Sequence, residues 1–238
     1  MEIKNFSGRP IEIITYYVAN FEKLDEPTKG NFSDLITAII KGSDILPLIE
    51  LHDKLDKISI KANEKDDTLM REMGSREWKI DNASEIKRIA DSTGKNESEV
   101  ASELKTEYQE KHIEHEEQKS VAGMTPGIIS LINRSIMGKM EILSPKELAS
   151  VSSQIADIIN QKQSRVDTLA LEMTSRRSKL ESDNAIKRAA EGARKTEGQM
   201  AAELNAEYRE RYFENENLEH SIAIYSKYGF TPKSSMKM

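Results

Sequence analysis

The 238-residue chain contains no cysteine. That excludes disulfides, thiolate metal sites and a cysteine nucleophile, and it fits the cytoplasm as well as export in an unfolded state. Aromatic residues are scarce, with five Phe, seven Tyr and one Trp, too few for a thick aromatic core. The hydrophobic fraction of 37% and charged fraction of 32% lie on the polar side of the globular average. Thin apolar seams between long helices suit such numbers. Long hydrophobic runs are also missing: Ile13 to Val18 and Ile128 to Ile132 are far too short to cross a bilayer. No basic segment leads into an apolar run with a small-residue cleavage site near the start, so no classical signal peptide is expected. The formal charge of −6 makes the chain a poor binder of phosphate backbones.

What the sequence does have is an internal repeat. Asp67 to Glu110 aligns without gaps on Asp167 to Glu210, at a constant offset of 100 and with 20 identities in 44 positions. Roughly three would arise by chance at ordinary residue frequencies. Asp67-Thr68-Leu69 recurs as Asp167-Thr168-Leu169, Ile86-Lys87-Arg88 as Ile186-Lys187-Arg188, and Glu107-Tyr108 as Glu207-Tyr208. The expected organisation is an N-terminal segment (1–26), two helical repeat units (27–122 and 123–220) and a C-terminal tail (221–238). The expected fold class is all-α, built from two tandem copies of a helical-hairpin unit with long, amphipathic, coiled-coil-like helices and minor β-structure possible at the termini.

In chain order, Met1 to Pro10 is a polar lead. Ile11 to Val18 is rich in β-branched and aromatic residues and fits a strand or a short buried helix; the lack of strand partners elsewhere favours helix. Phe32, Leu35, Ile36, Ile39 and Ile40 share one helical face that Gly42 is placed to end. Pro126-Gly127 followed by Ile128, Ile129, Leu131, Ile132 and Ile136 is expected to open the second unit in the same way. Pro47 and Pro145 suit first helical turns, and Ser144 with Glu147 forms a capping box. A helix from Pro145 to about Leu180 would run roughly 50 Å. Apolar residues three and four apart mark both long helices, interrupted by Arg76 in one and by Lys162 and Arg176 in the other. Asn96 with Glu99 and Thr196 with Gln199 are capping boxes at the same offset, so a returning helix starts there in each unit. Glu107–Lys111 and Glu207–Arg211 are expected as pairs along that helix. Gly123-Met124-Thr125-Pro126 is echoed by Gly229-Phe230-Thr231-Pro232, and Pro232 to Met238 is expected to fray.

No catalytic signature emerges. His112 and His115 stand among Glu114, Glu116 and Glu117, but the zinc-protease spacing is absent and the second copy has Tyr212 and Asn215 instead, so a solvated helix end is expected and no metal. Ile86 to Tyr108 has the outline of a helix-turn-helix, yet its second helix begins with Glu97 and Glu99, which would repel phosphates. There is no phosphate-binding glycine loop at Gly138-Lys139 and no Gly-x-Ser-x-Gly nucleophile motif. The chain is therefore expected to be no enzyme and to take no cofactor and no small-molecule substrate.

The repeated charges, Glu72, Lys79, Lys87, Arg88, Lys95, Glu103, Glu107 and Glu110, suit either salt bridges between antiparallel helices or a surface that meets a partner twice. Arg76 and Arg176 on the apolar seams must fix register or meet a carboxylate, since an unpaired seam charge costs stability. Tyr108 and Tyr208 occupy matched faces, whereas Trp78 has no counterpart. The candidate partner-binding set is Arg76, Lys87, Arg88, Tyr108, Arg176, Lys187, Arg188 and Tyr208. These features favour a non-enzymatic interaction or assembly protein whose partner is another protein or a second copy. The alternative is a bacterial virulence or secretion-apparatus protein exported without a cleavable signal, suggested by the absent cysteine and the Ser-, Gln-, Asn- and Lys-rich helices. A nucleic-acid-associated regulator using Lys87-Arg88 and Lys187-Arg188 is the weaker third reading.

Overall fold

The computed structural model of the protein describes residues 10–229. The described chain is all-α, with α1 (Pro10–Ala19), α2 (Glu26–Gly42), α3 (Ile45–Asp81), α4 (Ala83–Thr93), α5 (Glu97–Ile142), α6 (Pro145–Leu180), α7 (Asp183–Ala193) and α8 (Glu197–Lys227). A single 3-10 turn, Phe21–Lys23, links α1 to α2. The strands allowed for at the termini do not form among the described residues. Ile11 to Val18 lies in α1, and Ser221 to Lys227 continue α8. A lone strand would leave its backbone amides and carbonyls unpaired, whereas a helix satisfies them internally. Phe230 to Pro232, the polar lead before Pro10 and the segment expected to fray lie outside the described residues.

Local chemistry sets the helix ends. Asp25 caps α2 by accepting from the Thr28 amide, with Pro27 in the first turn where its missing donor costs nothing. Ser144 and Glu147 exchange hydrogen bonds at the start of α6, and Thr196 and Gln199 do so at the start of α8. Asn96 and Glu99 make the same reciprocal pair before α5. Between α4 and α5 the chain reverses through Gly94 at φ 72°, and between α7 and α8 through Arg194 at φ 55°. The left-handed turn is thus made once by glycine, which adopts it freely, and once by an arginine, for which it is costly.

The chain divides into two compact units, residues 1–141 and 142–238. The boundary expected at 122/123 falls inside α5, a helix of 46 residues. Pro126 lacks the amide that would bond the preceding turn, yet the helix continues past it. The Thr125 hydroxyl, fully buried, adds a bond to the Val121 carbonyl at 2.6 Å beside the acceptor that Pro126 cannot serve. Ile128, Ile132 and Ile136 therefore bury their side chains on the second half of α5 rather than opening a new unit. Unit 1 centres on Ile14 and Val18 of α1 and Leu48, Ile49, Leu51 and Leu55 of α3, all fully buried or nearly so. Unit 2 centres on Ile155, Ile159 and Leu169 of α6, with Leu204, Ile224 and Tyr225 of α8.

Candidate functional site

Within each unit a long helix is answered by an antiparallel return. In unit 1, contacts between α3 and α5 run in opposite chain directions: Arg76 meets Glu107, Glu72 meets Lys111, and Lys65 meets Glu114. The short α4 closes the end, where Ala90, Val100 and Leu104 are buried with Ile80, Ile86 and Ile89 packed around them. In unit 2, Ala190 and Leu204 are buried at the corresponding positions of α7 and α8.

The same polar seam recurs at the offset of 100. Arg76 Nε donates to Glu107 at 3.0 Å, and Arg176 Nε to Glu207 at 3.1 Å. Lys95 grips both oxygens of Glu103 at 2.6 and 2.7 Å, and Lys195 grips Glu203 at the same two distances. Glu72 lies 3.3 Å from Lys111, and Glu172 lies 3.1 Å from Arg211. Lys65–Glu114 at 2.7 Å is matched by Arg165–Glu214 at 2.8 Å. The pairs expected along the returning helix, Glu107–Lys111 and Glu207–Arg211, give way to these cross-helix contacts. The facing helix offers Arg76 and Glu72 within reach, so each member of the turn-to-turn pair finds its partner across the seam.

The charges are mutually reinforcing. Lys65, and then Lys111, hold the Glu114 carboxyl below the ordinary carboxylate range; Arg165, and then Arg211, do the same to Glu214. Carboxylates stabilised as anions in this way are committed acceptors and poor proton donors. An open cleft of about 230 Å³ lies where the 3-10 turn meets α3 and α5, lined among others by Phe21, Glu22, Ile58, Ala62 and Val121. Its Glu22 is likewise held low, first by the Ser120 hydroxyl.

The residues singled out in the sequence fall into three settings. Arg76 and Arg176 lie mostly buried on the seams, and their carboxylates come from within the chain. Lys87, Arg88, Lys187 and Arg188 are exposed on α4 and α7. Arg88 makes a two-pronged contact with Glu85 at 2.8 and 2.7 Å, while Arg188 donates to the Asn184 carbonyl. Tyr108 and Tyr208 are half-buried, with the Tyr108 ring 6.3 Å from that of His112. His115 is not at a solvated helix end, because α5 continues for another 27 residues beyond it, to Ile142. It is buried with Nδ1 2.6 Å from Asp66 Oδ1. Among the described residues no three His, Asp or Glu side chains form a group able to hold a metal ion.

Sequence reasoning missed the ends of the ladder, Lys65 with Glu114 and Arg165 with Glu214. Extending the alignment past both edges would have shown them, since residue 65 and residue 165 are both basic and 114 and 214 both Glu. It also passed over Ile113 and Phe213, matched positions on the outer faces of α5 and α8 that are 63% and 60% exposed. No helix among the described residues is long and apolar enough to cross a membrane. Comparison of the chain with protein-family models, curated proteins and solved structures finds no match.

Proposed function

We propose that the protein is a non-enzymatic helical interaction protein in which one hairpin module, copied within the chain, offers a similar surface to a protein partner twice. The observation that carries this reading is the recurrence of matched residues on two levels. The cross-helix pair explains why Arg76 and Glu107 have identical counterparts, because it joins the two arms of each hairpin, and the pair at the turn explains Lys95 and Glu103, because it ties the turn to the returning helix. They do not explain Asp67, Lys87 and Glu110, which are exposed in unit 1 and have identical, exposed counterparts in Asp167, Lys187 and Glu210. Surface positions of this kind are nearly neutral for folding, so their agreement fits a duty shared by both units. Two such surfaces on one chain give the second contact a high effective concentration.

The test is capture from a lysate of the source organism by immobilised wild-type protein and charge-reversal variants. The variants reverse Lys87 with Arg88, Lys187 with Arg188, or all four. Each single-unit reversal should weaken retention of the same species modestly, and the combined reversal should lose roughly a hundredfold. A combined variant no worse than the weaker single one contradicts the two-surface reading.

A further inference from the structure

The outer faces of α5 and α8 carry a second matched constellation, separate from the basic residues of α4 and α7. Ile113 and Phe213 stand there 63% and 60% exposed. Each has an exposed Glu one turn before it, Glu110 or Glu210, and another one turn after it, Glu116 or Glu216. Each also has a ring immediately before it, His112 or Tyr212, both exposed. The Tyr212 hydroxyl bonds Glu216, which raises the tyrosine's pKa.

Folding does not call for an apolar side chain at these positions, because the seams are filled from the opposite faces of the same helices. Carboxylates outnumber cations around both: Glu110, Glu116 and Glu117 against Lys119 and Lys23 in unit 1, where Lys23 lies 3.8 Å from Glu117 and Lys119 4.0 Å from Glu116, and Glu210, Glu216 and Glu219 against Arg209 in unit 2. In unit 1, Glu22 of the 3-10 turn joins Ile113, Glu116, Glu117 and the single cation Lys119 in lining a shallow groove on this face.

We propose that these two faces are docking sites for a basic amphipathic helix of a partner protein, one per unit. Its apolar stripe covers Ile113 or Phe213, and its flanking Lys or Arg side chains meet the carboxylates at either end. The charge argues against the other occupants. A nucleic acid would set phosphates against carboxylates, and a second copy docking face to face would oppose two acidic rims. The proposal rests on the interaction reading only in taking matched surfaces to serve the same class of partner.

The test is titration calorimetry on the full chain with a synthetic helical peptide bearing leucines along one face and lysines on its flanks. A scrambled peptide of the same composition is the control. Wild type should bind two equivalents. Phe213→Ser should bind one, with the remaining affinity unchanged within about twofold, and Ile113→Ser with Phe213→Ser should bind none at unchanged helix content. The scrambled peptide should bind more weakly and ignore both substitutions. Failure of wild type to bind, or equal binding by the doubly substituted chain, overturns the proposal. So does a wild-type dimer that the two substitutions dissociate, because the occupant is then a second copy. Any of these results alongside an intact capture defect in the Lys87/Arg88 and Lys187/Arg188 reversals removes this surface and leaves the interaction reading standing.

Discussion

Arg176→Glu should destabilise unit 2, and adding Glu207→Arg should recover much of the loss. The two groups meet at 3.1 Å, with the Arg side chain 22% and the Glu side chain 54% exposed. Coulomb's law in water gives about 1.3 kcal/mol at that separation. Exposure of the carboxylate, salt and side-chain ordering cut the net value to about 0.5–1 kcal/mol. Arg176→Glu removes that attraction and sets a carboxylate against both Glu207 and Glu172, which contacts Arg176 at 3.7 Å. The total loss should be about 1–2 kcal/mol, and exchanging the charges should return about half of it or more. The matched change in unit 1, Arg76→Glu with and without Glu107→Arg, should behave alike, because the distances and exposures there are 3.0 Å, 23% and 53%. The assay is urea unfolding followed by helical circular dichroism, repeated at high salt, where the coupling should shrink. An exchanged pair no better than the sum of its single changes refutes the reasoning. So does rescue in one unit but not the other, since the two seams are held to be equivalent.

Acid should weaken both hairpins through Glu114 and Glu214. Their folded pKa values are lowered from an ordinary 4.5, so their contribution is complete above that value and is lost as pH falls through the lowered one. Arg165→Gln should therefore flatten the acid limb of the stability curve, which a pH series of urea midpoints will show; an unchanged limb counts against the assignment. The two left-handed turns should respond oppositely to substitution. Gly94→Ala places a side chain at φ 72° and should cost about 1 kcal/mol, whereas Arg194→Gly at φ 55° should gain a few tenths to about 1 kcal/mol. Thermal melts of both variants check the pair, and shifts of the same sign would contradict it.

The parts of the fold legible in the sequence are those governed by local chemistry. Ser144 with Glu147 marks the start of α6, and Pro145–Leu180 is the helix its spacing predicts. The capping pairs Asn96 with Glu99 and Thr196 with Gln199 locate both returning helices. What failed was punctuation that tertiary packing overrides. Pro126-Gly127 reads as a boundary, but Ile128, Ile132 and Ile136 bury enough apolar surface to carry α5 through it. Pairing choice was also hidden. Glu107 and Lys111 are ideal neighbours on an isolated helix, and only the approach of α3 brings Arg76 and Glu72 close enough to compete. The His115–Asp66 contact is a long-range meeting of the same kind, with no counterpart at Asn215 and Val166 to announce it. Exposed Ile113 and Phe213 have the periodicity of the solvent face, and only the fold shows that no described residue covers them.

The most direct test of the account is a pair of distance measurements in a chain that has no cysteine to interfere. Spin labels are attached at residues 75 and 109 in one sample and at residues 175 and 209 in another. All four positions, Ser75, Gln109, Ser175 and Arg209, are exposed. Pulsed electron resonance should return two narrow distance distributions with the same mean, because the two hairpins close through the same contacts. Distinct means, or a broad distribution in either hairpin, would contradict it.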